Sequence, residues 1–332
     1  MLLIGPRLKS WAGSPNLTLN AALRKQSDGI GRISGGGKRS NPASIWTIIR
    51  SSTKNSMKIL ILGANGMLGY ALKNELASRN DLTLGDKQEF DLTRPDYLRQ
   101  KIEELDLEVV INAAGYTNVD GCETETQLCH QVNGQAVGDL AKICRELDLI
   151  LVHYSTDYVF DGQNQKGYKE DDPLNPINAY GKSKALGEKL LQENCQKYYL
   201  IRTSFLYGDN GLNFVEKIIE LSKIQDPLRV VNDQVSCPTY AKDLATATME
   251  ILEAKKPFGI YHVTNSGCCS KYEFALKIKE FLQFESEIET ASSEEFPQPA
   301  DRPSCSKLLN TKLDDLRPWD QALKDYLSKI TI

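Results

Sequence analysis

Short bursts of branched apolar residues recur along this chain, and stretches with helical spacing lie between them. Lys58-Ile59-Leu60-Ile61-Leu62 is a continuous apolar run closed by Gly63, the pattern of a strand buried on both faces. Leu68, Leu72 and Leu76 then repeat along one helix face. Leu82 to Asp86 reads as a second strand, Tyr97 to Leu105 as a helix begun by Pro95, Val109 to Asn112 as a third strand, and Thr126 to Leu147 as one long helix. Leu149 to Thr156, Tyr180 to Glu193 and Tyr199 to Arg202 add strand, helix and strand. Strands separated by helices predict an α/β fold, a Rossmann-type doubly wound parallel sheet with right-handed crossovers, whose ligands bind at the carboxyl ends of the strands.

Beyond Arg202 the pattern predicts helices over Gly211 to Ile224, Thr239 to Leu252 and Lys271 to Leu282, with a short strand at Leu228 to Val231. The chain therefore divides into a leader over 1–56, a dinucleotide-binding domain over 57–204, and a smaller C-terminal substrate lobe over 205–332 that partly returns to the first domain. Such a lobe would close over a bound substrate at the edge of the sheet.

The leader differs in charge. It holds nine lysines and arginines against Asp28 alone, so it carries +8 while the rest of the chain carries −12 of a net −4. Too few apolar residues for a core predict disorder there. Met57, just before the first strand, reads as the true start; a transit peptide is the alternative, and a nucleic-acid-binding arm fits less well because no aromatics interleave the charges. No apolar run approaches a membrane span. All eight cysteines follow Met57, without a C-x-x-C pair or histidines at metal-ligand spacing, which predicts no zinc or redox role and a reduced, cytoplasmic setting. Cys129 and Cys144 fall in a helical apolar pattern and read as core.

Three glycines, Gly63, Gly66 and Gly69, punctuate the turn from the first strand into its helix. They allow a tight turn, a close approach of backbone N–H groups to a pyrophosphate, and close helix–strand packing. Asp86 ends the second strand where an adenosine ribose would be accepted, although Lys87 beside it could meet a 2′-phosphate instead. Asp91-Leu92 could cover an adenine, and Ala113-Ala114-Gly115 are small enough for a cofactor to lie against.

Tyr180 and Lys184 stand four apart, on one face of a predicted helix, where a cation favours the phenolate. Tyr97 and Lys101 have the same spacing, so context must choose. Tyr97 lies in a charged helix. Tyr180 opens the helix that follows Ser155-Thr156, hydroxyls at the carboxyl end of a strand where a carbonyl substrate would sit.

These features resemble the extended short-chain dehydrogenase/reductase family. More narrowly, Tyr154-Ser155-Thr156-Asp157-Tyr158-Val159-Phe160-Asp161-Gly162, Asn178 to Lys184, Arg202-Thr203-Ser204, Asn232-Asp233-Gln234, Pro238-Thr239 and Arg302-Pro303 resemble the dTDP-4-dehydrorhamnose reductases, from Met57 to the C-terminus. The resemblance implies NADPH or NADH held by Gly66, Met67, Leu68, Asp86, Asp91, Leu92, Gly115, Tyr116, Thr117, Tyr154, Tyr180 and Lys184. It implies a nucleotide sugar met by Thr156 and Asp157, with Thr117 and Val119 lining the sugar pocket. Hydride would pass to C4 of dTDP-4-dehydro-6-deoxy-L-mannose, giving dTDP-L-rhamnose, while Tyr180 donates the proton, Thr156 holds the oxygen, and Lys184 lowers the Tyr180 pKa.

Phe205 stands where the family often has tryptophan, which leaves another 4-keto nucleotide sugar as an alternative substrate. An epimerase uses the same architecture, and a cofactor-binding regulatory subunit resembling methionine adenosyltransferase β is the non-enzymatic alternative. Arg302 reads as a diphosphate contact or as an exposed arginine paired with an acid. The resemblance also allows a homodimer, in some relatives bridged by a metal such as Mg2+, but no acids for such a site stand out in this sequence. Neither a nucleic acid nor a membrane is an expected partner.

Overall fold

The computed structural model describes residues 47–53 and 56–330. In chain order the first half contains β1 (Thr47–Ile49), β2 (Lys58–Leu62), α1 (Met67–Leu76), β3 (Asp81–Gly85), α2 (Pro95–Glu103), β4 (Val109–Asn112), α3 (Val119–Thr124), α4 (Thr126–His130), α5 (Ala136–Glu146), β5 (Ile150–Thr156), α6 (Ala179–Asn194) and β6 (Tyr198–Thr203). The second half adds β7 (Leu206–Tyr207), α7 (Phe214–Ser222), β8 (Leu228–Val231), β9 (Val235–Ser236), β10 (Thr239–Tyr240), α8 (Ala241–Glu253), β11 (Gly259–His262), β12 (Asn265–Ser266), β13 (Cys269–Ser270), α9 (Lys271–Leu282), β14 (Ile288–Ala291), β15 (Leu316–Pro318) and α10 (Trp319–Leu327).

Seven strands form the main sheet in the order β1-β3-β2-β4-β5-β6-β11, all parallel except β1. The order turns back at β2, which has β3 on one side and β4 on the other, so the crevice between the carboxyl ends of β2 and β4 is the switch point where such folds bind ligands. The two-residue period of β2 sends Ile59 and Ile61 to one face and Leu60 and Leu62 to the other. The first face is covered by Leu68, Leu72 and Leu76 of α1 and Leu244, Met249 and Leu252 of α8; the second by Leu98 and Ile102 of α2 and Leu140 and Ile143 of α5. Thus α8 and β11, although they follow residue 205, build the main sheet and its cover. The remaining strands pair in twos, β8 with β14 among them.

Several elements depart from the sequence pattern. The helix expected over Thr126 to Leu147 is broken by a π-helical turn at Gln131–Gln135. The wider turn carries Asn133, whose Oδ1 accepts from the Tyr116 N–H at 2.8 Å and whose Nδ2 donates to the Tyr116 carbonyl at 2.9 Å. The helix expected from Gly211 starts at Phe214, because Asn213 caps it by accepting from the Val215 N–H at 2.9 Å. Thr239 and Tyr240 pair with β7 instead of opening α8.

Within the leader read as disordered, Thr47–Ile49 forms β1, antiparallel to β3. The Ser51 N–H donates to Asp81 Oδ1 at 2.7 Å and Ile49 packs against the sheet core, contacts too local for composition to register. Calls on residues 1–46 lie outside the described residues.

The cysteines are not all reduced. Cys122 on α3 is bonded to Cys129 on the adjoining α4, and Cys237 to Cys268, while Cys144, Cys195, Cys269 and Cys305 are free and buried. Neither pair has a C-x-x-C spacing, because each is made by the packing of separate elements. Among the described residues no helix is long and apolar enough to cross a membrane, and no group of three or more His, Cys, Asp or Glu side chains could hold a metal ion.

Candidate active site

The floor of the crevice is backbone. Gly63 has φ +77°, and a Cβ there would lie 2.8 Å from the Ala114 nitrogen, so only glycine lets the ends of β2 and β4 approach this closely. At Gly69 a Cβ would sit 2.1 Å from the Gly63 carbonyl oxygen, which is how α1 lies tight on the turn. Gly66 is the N-cap of α1 and contributes no side-chain cap, leaving first-turn N–H groups at Met67 and Leu68 open to an anion.

Around this floor, Asp86 follows β3 and accepts from Asn65 Nδ2 at 3.2 Å and from the Gln88 N–H at 2.8 Å. Hydrogen bonding to Glu89 and to the Gln88 N–H holds its carboxyl below the usual range. Burial raises the Asp91 carboxyl, but the Thr93 N–H and hydroxyl, at 2.9 and 2.7 Å, outweigh it and the net shift is downward. Leu92 turns its side chain into the core with Phe90. Gly115 and Thr117 are exposed, and the Tyr116 phenol donates to Glu125.

Across the crevice, the carboxyl end of β5 holds the polar groups. Thr156 Oγ1 accepts from the Tyr158 N–H at 3.2 Å and donates to Asp157 Oδ1 at 3.1 Å. Asp157 is buried and takes two more hydroxyls, Ser204 at 2.9 Å and Ser306. Burial still pushes its carboxyl up, with those hydroxyls opposing. The side chain expected to meet a sugar is thus clamped by three protein hydroxyls and braces the turn after β5. Ser155 Oγ and Thr203 Oγ1, at the carboxyl ends of β5 and β6, are buried with no hydrogen-bond partner.

Asn178 caps α6, accepting from the Gly181 N–H at 2.7 Å, and so fixes Tyr180 in the first turn. A Cβ at Gly181 would lie 2.1 Å from the Tyr158 carbonyl oxygen, which brings Tyr180 against the turn bearing Thr156. The Tyr180 and Tyr158 rings meet edge to face at 5.9 Å. Burial, reinforced by the Asp157 charge and opposed by hydrogen bonding to Thr156, pushes the Tyr180 phenol up to about 12. This corrects the expectation that Lys184 lowers it. The Lys184 amine turns instead to the Tyr154 carbonyl at 2.6 Å and to His153 Nε2 at 3.3 Å, and burial brings it down to about 8 against the pull of Glu188. Tyr154 offers this carbonyl, while its phenol is buried against Thr248 Oγ1 at 2.8 Å.

Tyr97 and Lys101, with the same spacing, do something else. Arg94 and Lys101 lie over the Tyr97 ring at 4.9 and 5.7 Å, a packing arrangement on α2.

Arg302 is half-buried, with 8% of its side chain exposed, and is not the exposed arginine expected. Its Nη2 pairs with Asp120 Oδ1 at 3.0 Å and its Nη1 donates to the Ala300 carbonyl at 2.7 Å, tying its loop to α3 next to the half-buried Val119. Phe205, at φ +44°, packs on Phe214 and Phe274 at 5.2 and 5.1 Å. Sequence reasoning gave the Asn112 side chain no role beyond its strand, and missed His153 beside Lys184 and Lys271, which donates to Gln234 and whose amine burial lowers to about 8. The polar residues interrupting apolar β4 and β5 were the available signal for the first two.

The family model for the RmlD substrate binding domain matches residues 57–332. The spore coat polysaccharide biosynthesis protein SpsK of Bacillus subtilis is 38% identical over 277 residues, 82% of this chain and 97% of that protein. A dTDP-4-dehydrorhamnose reductase of Burkholderia thailandensis is 37% identical, over 82% of this chain and 100% of its own. The structure of dTDP-4-dehydrorhamnose reductase from Bacillus anthracis in complex with NADP superposes with a TM-score of 0.80 at 34% identity, covering 83% of this chain and 100% of that one.

Proposed function

This chain belongs to the RmlD substrate binding domain family, and from that premise we propose that it is an NAD(P)H-dependent reductase of a nucleotide sugar, converting the C4 keto group of dTDP-4-dehydro-6-deoxy-L-mannose to the alcohol of dTDP-L-rhamnose. The observation that carries this reading is the half-buried Tyr180, fixed in the first turn of α6 by the Asn178 cap and held against the turn that bears Thr156 at the carboxyl end of β5. The names of the Burkholderia and Bacillus anthracis relatives support the substrate and the cofactor.

The residues present fit a dinucleotide. Met67 and Leu68 N–H groups at the start of α1 would take the pyrophosphate, Asp86 the adenosine ribose, and Lys184 with the orphaned Ser155 hydroxyl lies where the nicotinamide end would rest. A bound reduced nicotinamide supplies the hydride.

The rest is work for this chain's own side chains. With its pKa near 12, Tyr180 holds its proton at neutral pH and gives it to the oxygen developing at C4, toward which the Thr156 hydroxyl would turn its one proton from Asp157. Asp157, which Ser204 and Ser306 hold from the other side, keeps the turn bearing Thr156 in place. Lys184, anchored on the Tyr154 carbonyl, is the neighbouring group through which Tyr180 is recharged.

Another 4-keto nucleotide sugar is the second reading. Phe205 favours it, because the ring is committed to Phe214 and Phe274 and offers no N–H to a sugar. The test is oxidation of NADPH and NADH with enzymatically generated dTDP-4-dehydro-L-rhamnose. Rapid oxidation with formation of dTDP-L-rhamnose supports the first reading; turnover of a different keto sugar alone transfers support to the second, and cofactor binding without turnover of any keto sugar overturns both.

A further inference from the structure

Two buried side chains, Asn112 and His153, link the floor of the crevice to Lys184. The Ala114 N–H donates to Asn112 Oδ1 at 3.1 Å, which fixes the amide so that its Nδ2 faces His153 Nδ1, also at 3.1 Å. An amide nitrogen only donates, so Nδ1 accepts, and a neutral imidazole then carries its proton on Nε2. Burial foremost, joined by Lys184 whenever that amine is charged, holds His153 well below its ordinary range, in the neutral form. Its Nε2 lies 3.3 Å from Lys184 Nζ.

An ammonium has no lone pair to receive an N–H, whereas an amine has one. The arrangement therefore favours the uncharged lysine. The other groups acting on Lys184 are Glu188 on α6 and the Tyr154 carbonyl on β5, with Tyr180 one turn before it on α6. Glu188 is the charged one, and Arg202 on β6 neutralises it. Asp157 acts on Tyr180 and is occupied by three hydroxyls.

We propose that Asn112 and His153 are positioning residues that set the charge of Lys184, fixing an Nε2–H against its nitrogen so that it gains and loses a proton near neutral pH instead of standing as a permanent cation. The inference rests on the reading of Tyr180 and Lys184 as the proton-transfer pair.

The first test is the 15N spectrum of the histidine-labelled full chain. There are three histidines, His130, His153 and His262; a His130→Gln variant identifies the first. His262 is an internal opposite, since its Nδ1 lies 3.1 Å from the Leu309 carbonyl, an acceptor, and its Nε2 3.2 Å from the Arg202 guanidinium, a donor. His262 is expected to carry its proton on Nδ1 and His153 on Nε2. A proton on His153 Nδ1 overturns the proposal. The second test is the pH profile of kcat in His153→Phe, which removes the donor, and His153→Gln, whose amide both accepts from Asn112 and donates to Lys184. The Lys184 limb is expected to move up by about one pH unit in the first and to stay in the second. A folded Phe variant with an unmoved limb overturns the proposal; if that variant does not fold, the spectrum of the unaltered protein decides. Full activity in Tyr180→Phe would instead remove the proton-transfer reading and leave the His153 tautomer as found.

Discussion

Arg202 Nη2 meets Glu188 Oε2 at 2.8 Å in a pair whose side chains are 2% and 0% exposed. Arg202 Nη1 also reaches the Glu170 carbonyl at 3.0 Å, so the guanidinium ties α6, which bears Tyr180 and Lys184, to β6 and to the loop ahead of that helix. Removing one partner strands a buried charge. Glu188→Ala is expected to cost about 3–5 kcal/mol of stability, read from the urea midpoint at unchanged slope. A loss below about 1 kcal/mol would mean that water already screens the pair.

Tyr180→Phe keeps the ring against Tyr158 and removes the proton. Turnover is expected to fall by roughly two to four orders of magnitude, with cofactor affinity, followed by nicotinamide fluorescence, nearly unchanged. Equal losses in both would make Tyr180 a binding residue and not the acid.

Gly69→Ala and Gly66→Ala should behave differently. The first puts a Cβ 2.1 Å from the Gly63 carbonyl oxygen and 2.7 Å from Ala64 Cα, rigid backbone that cannot yield, whereas the second meets only the Gly63 oxygen at 3.4 Å. Gly69→Ala is therefore expected to lift α1 off the turn, lowering the melting temperature and weakening dinucleotide binding at least tenfold in a direct titration. Gly66→Ala should keep the wild-type melting temperature.

The Lys184 amine falls from 10.5 unfolded to about 8 folded. Between those values the unfolded chain binds more protons, so the sign is positive and stability rises with pH from about 8 to 10.5. Below pH 8 the group is charged in both states and its burial is a full cost. Lys184→Met lacks this dependence. Its stability advantage over the unaltered protein at pH 7 should shrink by an amount on the order of 2–3 kcal/mol by pH 10, measured by denaturant unfolding at each pH. A constant difference would show that Lys184 is not perturbed.

Removing residues 1–46 leaves β1 in place, and removing 1–56 takes it away. The longer truncation uncovers the outer edge of β3 along Leu82, Thr83 and Leu84 and deletes the Ser51 to Asp81 bond. It is expected to lower the melting temperature by several degrees relative to the shorter one and to increase aggregation, because an unpaired edge strand recruits other chains. Identical melting curves would show that β1 contributes nothing.

What was legible in the sequence is what local pattern encodes. β2, β4 and β8 are apolar runs with clear ends, and α9 begins at a serine followed three residues later by glutamate, so their bounds follow from nearest neighbours. The π turn at Gln131–Gln135 was hidden because one wide turn barely disturbs a helical period, and its cause is Tyr116, well upstream. β1 is three residues long and is held by β3, not by its own composition. At the site, the Tyr180 and Lys184 spacing puts both on α6, but the phenol answers to Asp157 and the amine is bonded to Tyr154 and His153, all from β5 and its following turn. Spacing within one helix carries no information about those neighbours.

The packing of α1 bears on how the chain acquires its shape as it is made. Leu68, Leu72 and Leu76 are among the first apolar side chains of the sheet domain to leave the ribosome, yet their cover, Leu244 and Met249 of α8, emerges much later, followed by the edge strand β11. The nascent sheet domain therefore carries an uncovered apolar face until α8 has been made. Such a face is open to aggregation during that interval, and a truncation before residue 241 leaves a product without the α8 side chains that cover its first helix.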